Sequence, residues 1–136
     1  HDALPIYEAG FIALHLVNAE MEEEVGNIYE LTKLMQEITN IVKYYFKVSF
    51  DEDSVYFYRF STHLKFFCYR LLHQREVVEN DDEELYAVIK KKYLNAYRCV
   101  EKISLYLNEN YDYQVSNEER LYLTIHIARI VQTTEQ

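Results

Sequence analysis

Two glycines and one proline in 136 residues leave this chain little with which to build tight turns. Sheet-rich folds reverse direction on residues that accept positive φ or arrive with φ preset, and they need many of them. With nearly half of its residues apolar, the chain still has enough to bury a substantial core. The expectation is therefore one all-α domain, with helices supplying the core and short connections between them.

Hydrophobic spacing places the helices. Residues 8–19 read as a short apolar helix, followed by an acidic connector from Glu20 to Glu24. A long amphipathic helix then spans about 27–46, with Ile28, Leu31, Leu34, Met35, Ile38, Val42 and Tyr45 at helical intervals on its inner face. Asp51 or Asp53 is expected to cap the next helix, which ends near His73. The acidic run Glu79 to Glu84 puts negative charge at the start of a shorter helix ending near Lys91. A further helix covers about Asn95 to Asn110 and buries Ala96, Cys99, Val100, Ile103 and Leu107. After a loop from Tyr111 to Val115, Ser116 and Glu119 have the S-x-x-E spacing of a capping box and open a last helix through about Val131. The architecture predicted is a five-helix antiparallel bundle preceded by one short extra helix.

Charge and cysteine content exclude several functions. A net charge of −9 argues against nucleic-acid binding by this chain alone, because phosphate affinity comes from clustered Lys and Arg. Lys90, Lys91 and Lys92 form a basic cluster, which reads as a solvated helix face. An acidic surface suits a basic protein partner. Cys68 and Cys99 fall on apolar stripes and read as buried thiols of a reducing compartment, which with no apolar run long enough to cross a bilayer predicts a cytoplasmic protein without membrane insertion.

Two histidines stand out. In the helix after Asp53, Phe57, Phe60, Leu64, Phe67 and Leu71 make the core stripe, and a neighbouring stripe carries Tyr56, Arg59, His63, Phe66 and Arg70. His63 thus lies between two guanidinium groups. In the last helix His126 is followed by Arg129 at i+3. A lone helical histidine is usually a surface or satisfied core residue, but two flanked by arginines form a chemical pattern. Neutral imidazole is a nucleophile at neutral pH, and arginine pairs with phosphoryl oxygens in two-point fashion. Neither histidine sits in an H-E-x-x-H or E-x-x-H pattern, and the chain has no glycine-rich phosphate loop or nucleophile elbow. The reading is of a non-enzyme with no metal and no cofactor. His1 and His73 receive no role.

Sliding the sequence on itself so that His15 meets His126 also pairs Glu8 with Glu119, Phe11 with Tyr122, Ile12 with Leu123 and Leu14 with Ile125. On that repeat, residues 1–20 are the last helix of a preceding copy plus a linker, and 21–136 are a complete second copy.

The stretches Arg59-Phe-Ser-Thr-His-Leu-Lys-Phe-Phe, Leu121-Tyr-Leu-Thr-Ile-His-Ile-Ala-Arg and Glu8-Ala-Gly-Phe-Ile-Ala-Leu-His closely resemble the PRD, the phosphotransferase-system regulation domain of BglG/SacY-type transcriptional antiterminators. The resemblance implies a homodimeric five-helix bundle with two phosphorylatable histidines per domain. His63 and His126 match those two, and His15 matches the second histidine of the upstream copy. It further implies that the phosphocarrier HPr phosphorylates the second domain, that a sugar-permease component acts through the preceding PRD, and that RNA is bound only by an N-terminal domain absent here. Arg59, Arg70 and Arg129 are expected to stabilise the phosphoryl group. Two alternatives stay open at this point: the PRD of a DNA-binding transcriptional activator, and a plain helical dimerisation module.

Overall fold

A computed structural model describes residues 27–73 and 82–134. Among these residues there are five helices and no strand. Helix α1 covers 27–46, α2 Val55–Leu72, α3 Glu83–Lys92, α4 Leu94–Tyr111 and α5 Asn117–Thr134. The chain divides into two compact units, His1–Lys33 and Leu34–Gln136. Of the first unit, only residues 27–33 are described, and they are helical. The short helix expected over 8–19, with its His15, lies outside the described residues.

The bundle is formed by the second unit. Leu34, Ile38 and Val42 of α1 are fully buried, with Phe60, Leu64, Phe67, Cys68 and Leu71 of α2 and Ala96, Cys99, Val100, Ile103 and Leu107 of α4. Ile28, placed by its spacing on the same stripe of α1, is exposed, so the buried stripe begins at Leu34. Helix α5 packs against α2, α3 and α4. Accordingly Leu123, Thr124, Ile127, Ala128, Ile130 and Val131 are all buried, forming one continuous face that covers about half of its circumference. Thr124 tolerates this position because its hydroxyl donates to the Arg120 carbonyl at 2.6 Å.

Helix ends explain how the chain manages with so few glycines. Both glycines and the proline precede residue 27. Lys47 and Asp112, after α1 and α4, take the left-handed conformation themselves, with φ of 54° and 50°. For Asp112 this costs about 1 kcal/mol relative to glycine, offset where its own N–H donates to the Leu107 carbonyl.

The cap of α2 is Ser54, not Asp51 or Asp53. Ser54 Oγ accepts the Phe57 N–H at 3.1 Å and donates to the Asp51 carbonyl at 2.8 Å. Asp51 instead accepts the Asp53 N–H at 3.1 Å, an Asx turn that leads into the cap. At α3, Asp82 accepts the Leu85 N–H at 3.0 Å, Glu83 and Glu84 fill the first turn, and Lys90, Lys91 and Lys92 the last, so both ends complement the helix dipole. These lysines are exposed, as expected of a solvated face; Lys90 Nζ sits 4.8 Å from the Tyr97 ring centroid and Lys92 Nζ 5.3 Å from that of Tyr93.

The capping box opens α5 as its spacing predicted. Ser116 Oγ accepts the Glu119 N–H at 3.1 Å, and Glu119 Oε1 accepts the Ser116 N–H at 3.1 Å. The carboxylate is only 2 % exposed and also accepts the Tyr113 hydroxyl, at 2.7 and 2.9 Å to its two oxygens. Burial and Glu119 together push the Tyr113 phenol well above its ordinary value, so it keeps its proton. Cys68 and Cys99 are free, buried thiols; desolvation raises both, Cys99 to about 12. Neither forms a thiolate at neutral pH. No helix among the described residues is long and apolar enough to cross a membrane.

Candidate functional site

Helices α2 and α5 lie against each other, and their contact brings the two histidines together. The rings of His63 and His126 are stacked, with centroids 3.7 Å apart and planes inclined by 15°. Both are half-buried. Tyr122, one turn before His126 on α5, meets both imidazoles edge-on, with centroids 4.6 Å from His126 and 5.7 Å from His63. Its oxygen lies 2.9 Å from His63 Nδ1 and donates to the His63 carbonyl at 3.1 Å.

Beside the stacked pair is a cavity of about 250 Å³. His63 and His126 line it together with Arg59, Arg129, Tyr56 and Thr133. Both arginines are exposed, so their guanidinium groups remain hydrated and free to turn toward an anion. Arg70 does not line this cavity. Its guanidinium lies over the Tyr122 ring, 5.6 Å from the centroid, and its Nε is buried with no hydrogen-bond partner. Helical spacing put Arg70 on the stripe of His63, but two turns along α2 it has passed to the far side of Tyr122. The site thus joins His63, His126, Arg59 and Arg129 and leaves Arg70 behind them. Among the described residues no cluster of three metal-ligating side chains occurs.

Sequence reasoning gave Tyr122 no role. The available signal was its spacing of four from His126, which puts the two on one helix face. Nothing local says that the same face meets His63.

Electrostatics hold His126 neutral. His126 is lowered to about 4, first by burial and then by the neighbouring charges of His63 and Arg129. Stacked imidazoles cannot both take a proton cheaply, and the arginine adds like charge. Above pH 6.5 the ring is therefore an unprotonated nucleophile. The unfolded chain binds a proton at His126 near the ordinary histidine value of about 6.5, so folding stability is complete above that pH and falls as pH drops toward about 4. After allowance for solvent screening, the loss is on the order of 2 kcal/mol. Urea denaturation across this pH range should show the limb in the intact chain and not in His126→Gln. An identical slope in both would mean that carboxylates, not this ring, carry the acid sensitivity.

Together, the helices of the bundle bring two stacked histidines and two arginines to one cavity. The chain matches the family model of the PRD domain over residues 36–130, a span containing both histidines, and it belongs to that family. It is 52 % identical over 129 residues to the transcription antiterminator LicT of Bacillus subtilis (strain 168), covering 95 % of this chain and 46 % of that protein. It is 48 % identical over 127 residues to the beta-glucoside operon antiterminator of Dickeya chrysanthemi, with 93 % and 44 % covered. A more distant relative, the PtsGHI operon antiterminator of Bacillus subtilis (strain 168), is 27 % identical over 127 residues, again covering 93 % and 44 %. The chain spans less than half the length of these relatives.

Proposed function

We propose that this domain is the regulatory part of a cytoplasmic transcriptional antiterminator, phosphorylated on histidine by the sugar phosphotransferase system to control its dimerisation and activity. The observation that carries the reading is the stacked pair His63 and His126 at the edge of a cavity that two arginines also line. The antiterminator relatives supply the output that is regulated. The domain itself is not an enzyme on this reading; it accepts a phosphoryl group and passes the signal on as a change of association.

The chemistry fits the residues. A neutral imidazole attacks the phosphorus of a phosphorylated carrier, HPr, whose basic docking face the acidic surface of this chain would complement. Arg59 and Arg129 turn toward the phosphoryl oxygens and pair with them. The two negative charges that arrive disturb a surface that previously held two stacked rings. A preference of about 1.4 kcal/mol for one packing over another changes a dimer population tenfold, and one charge-assisted contact is enough to supply it. His15, and the sugar-permease component proposed to act on the preceding PRD, belong to the same scheme, as does RNA binding by a separate N-terminal domain.

The test is incorporation of acid-labile, base-stable radiolabel from phosphoenolpyruvate through the general phosphotransferase enzymes and HPr. The intact chain should be labelled. Arg59→Ala should slow labelling about tenfold, the loss of one charge-assisted contact in the transition state, with an unchanged helical spectrum because Arg59 is exposed. No label on the intact chain would leave a plain dimerisation module.

A further inference from the structure

The geometry points to Tyr122 as the positioning residue that fixes His63 as its Nδ1–H tautomer, so that Nε2 is the atom that accepts the phosphoryl group. The second half of this inference rests on the function proposed above; the first does not.

The assignment follows from counting protons. Tyr122 Oη lies within hydrogen-bond distance of two groups of His63, the ring Nδ1 at 2.9 Å and the main-chain carbonyl at 3.1 Å. A phenol has one proton to donate and a carbonyl can only accept. Both contacts are hydrogen bonds in one arrangement alone: the hydroxyl donates to the carbonyl, and Nδ1–H donates to the hydroxyl oxygen. An unprotonated Nδ1 would compete with the carbonyl for the single proton. Burial raises the Tyr122 hydroxyl above its ordinary value, with Arg70 partly opposing, so the phenol keeps that proton at neutral pH. The Arg70 guanidinium over the ring holds Tyr122 from behind.

The placement of the cavity agrees. His63 lines it and Tyr122 does not. The Nδ1 edge of the imidazole is thus closed by the phenol, and Nε2 is the remaining nitrogen with a lone pair to offer. In the transfer, that lone pair attacks phosphorus and the Nε2–P bond forms. The donor's P–N bond breaks, its electron pair returns to the donor nitrogen, and that nitrogen takes up a proton from water. The His63 ring becomes cationic while it carries both the phosphoryl group and the Nδ1 proton. The Tyr122 oxygen accepts that proton's hydrogen bond during the step, and the proton is then lost to solvent.

Long-range proton–nitrogen NMR of the full 136-residue chain, labelled with ¹⁵N-histidine, distinguishes protonated from bare ring nitrogens without any phosphorylation. His63 is expected to show a protonated Nδ1 and a bare Nε2, the reverse of the form preferred by free neutral histidine. Tyr122→Phe should return it to a majority Nε2–H form. Inorganic phosphoramidate then serves as the phosphoryl donor: the intact chain should carry phosphate on His63 Nε2, and Tyr122→Phe should make that isomer severalfold more slowly. A bare Nδ1 in the intact chain, a tautomer indifferent to Tyr122→Phe, or phosphate on Nδ1 would overturn the inference. The expected tautomer with no phosphorylation by either phosphoramidate or the carrier system would sink the phosphoacceptor reading, while the hold of Tyr122 on His63 would stand.

Discussion

Replacing both His63 and His126 by alanine should remove nearly all carrier-dependent label from the chain, a loss of at least about tenfold, with His63→Ala alone removing most of it. On the proposed function the nucleophile is the imidazole, and no exposed arginine or hydroxyl at the cavity substitutes for it in forming a phosphoramidate. His63 is expected to dominate because Arg59 lies one turn before it on α2 and lines the same cavity. Each single variant also tells whether the partner ring accepts phosphate on its own. The fold should persist, since both rings are half-buried and stand apart from the fully buried core of Leu34, Ile38, Phe67, Ile103 and Ile127. Full labelling of the double variant, with an unchanged helical spectrum, would mean that another residue carries the phosphate.

Glu119→Ala should destabilise the bundle by about 3 kcal/mol, lowering Tm by roughly 10–20 °C for a domain of this size. The carboxylate is almost completely buried and satisfies two donors at once, the Tyr113 hydroxyl and the Ser116 N–H. Truncation strands both in a place that water reaches poorly, and an unpaired buried donor costs more than a hydrogen bond contributes. The same change also removes half of the reciprocal cap that begins α5. Helix α5 is the one packed against α2, α3 and α4, so fraying at its start reaches the rest of the bundle. Pairing Glu119→Leu with Tyr113→Phe should recover part of the loss by removing a donor together with its acceptor. Urea denaturation followed by circular dichroism measures all of these; a cost under about 1 kcal/mol for Glu119→Ala would show that water takes over the carboxylate's partners.

Glu119 stands at the start of α5 and His126 two turns further along, so one helix anchors the fold at one end and carries a ring of the stacked pair further on. Phosphate arriving beside His126 also bears on its acid sensitivity, because a neighbouring dianion favours the imidazolium that burial, His63 and Arg129 oppose. The phosphorylated domain should therefore hold a proton on the unmodified ring at a higher pH than the free domain does.

Much of the architecture was legible in the amino-acid order because helical periodicity is a local property. The span 27–46, the capping box of Ser116 and Glu119, and the buried run Ala96, Cys99, Val100, Ile103 and Leu107 each depend on residues within a few turns of one another. Ser54 was missed as the cap of α2 because three adjacent candidates, Asp51, Asp53 and Ser54, carry the same capping chemistry, and backbone geometry alone selects among them. Periodicity also places His63, Arg59 and Arg70 on one stripe and His126, Tyr122 and Arg129 near one face. It cannot tell which helices become neighbours, since spacing along a chain carries no information about packing between segments far apart in it. The α2–α5 contact alone brings the ring centroids of His63 and His126 to 3.7 Å, sets the Tyr122 oxygen beside His63 Nδ1, and places Arg70 over a phenol ring rather than at the cavity. The amino-acid order thus determined which side chains share a helix face, and the tertiary packing decided which of them meet, because close packing of two helices admits one register and a neighbouring stripe residue two turns away ends on another surface.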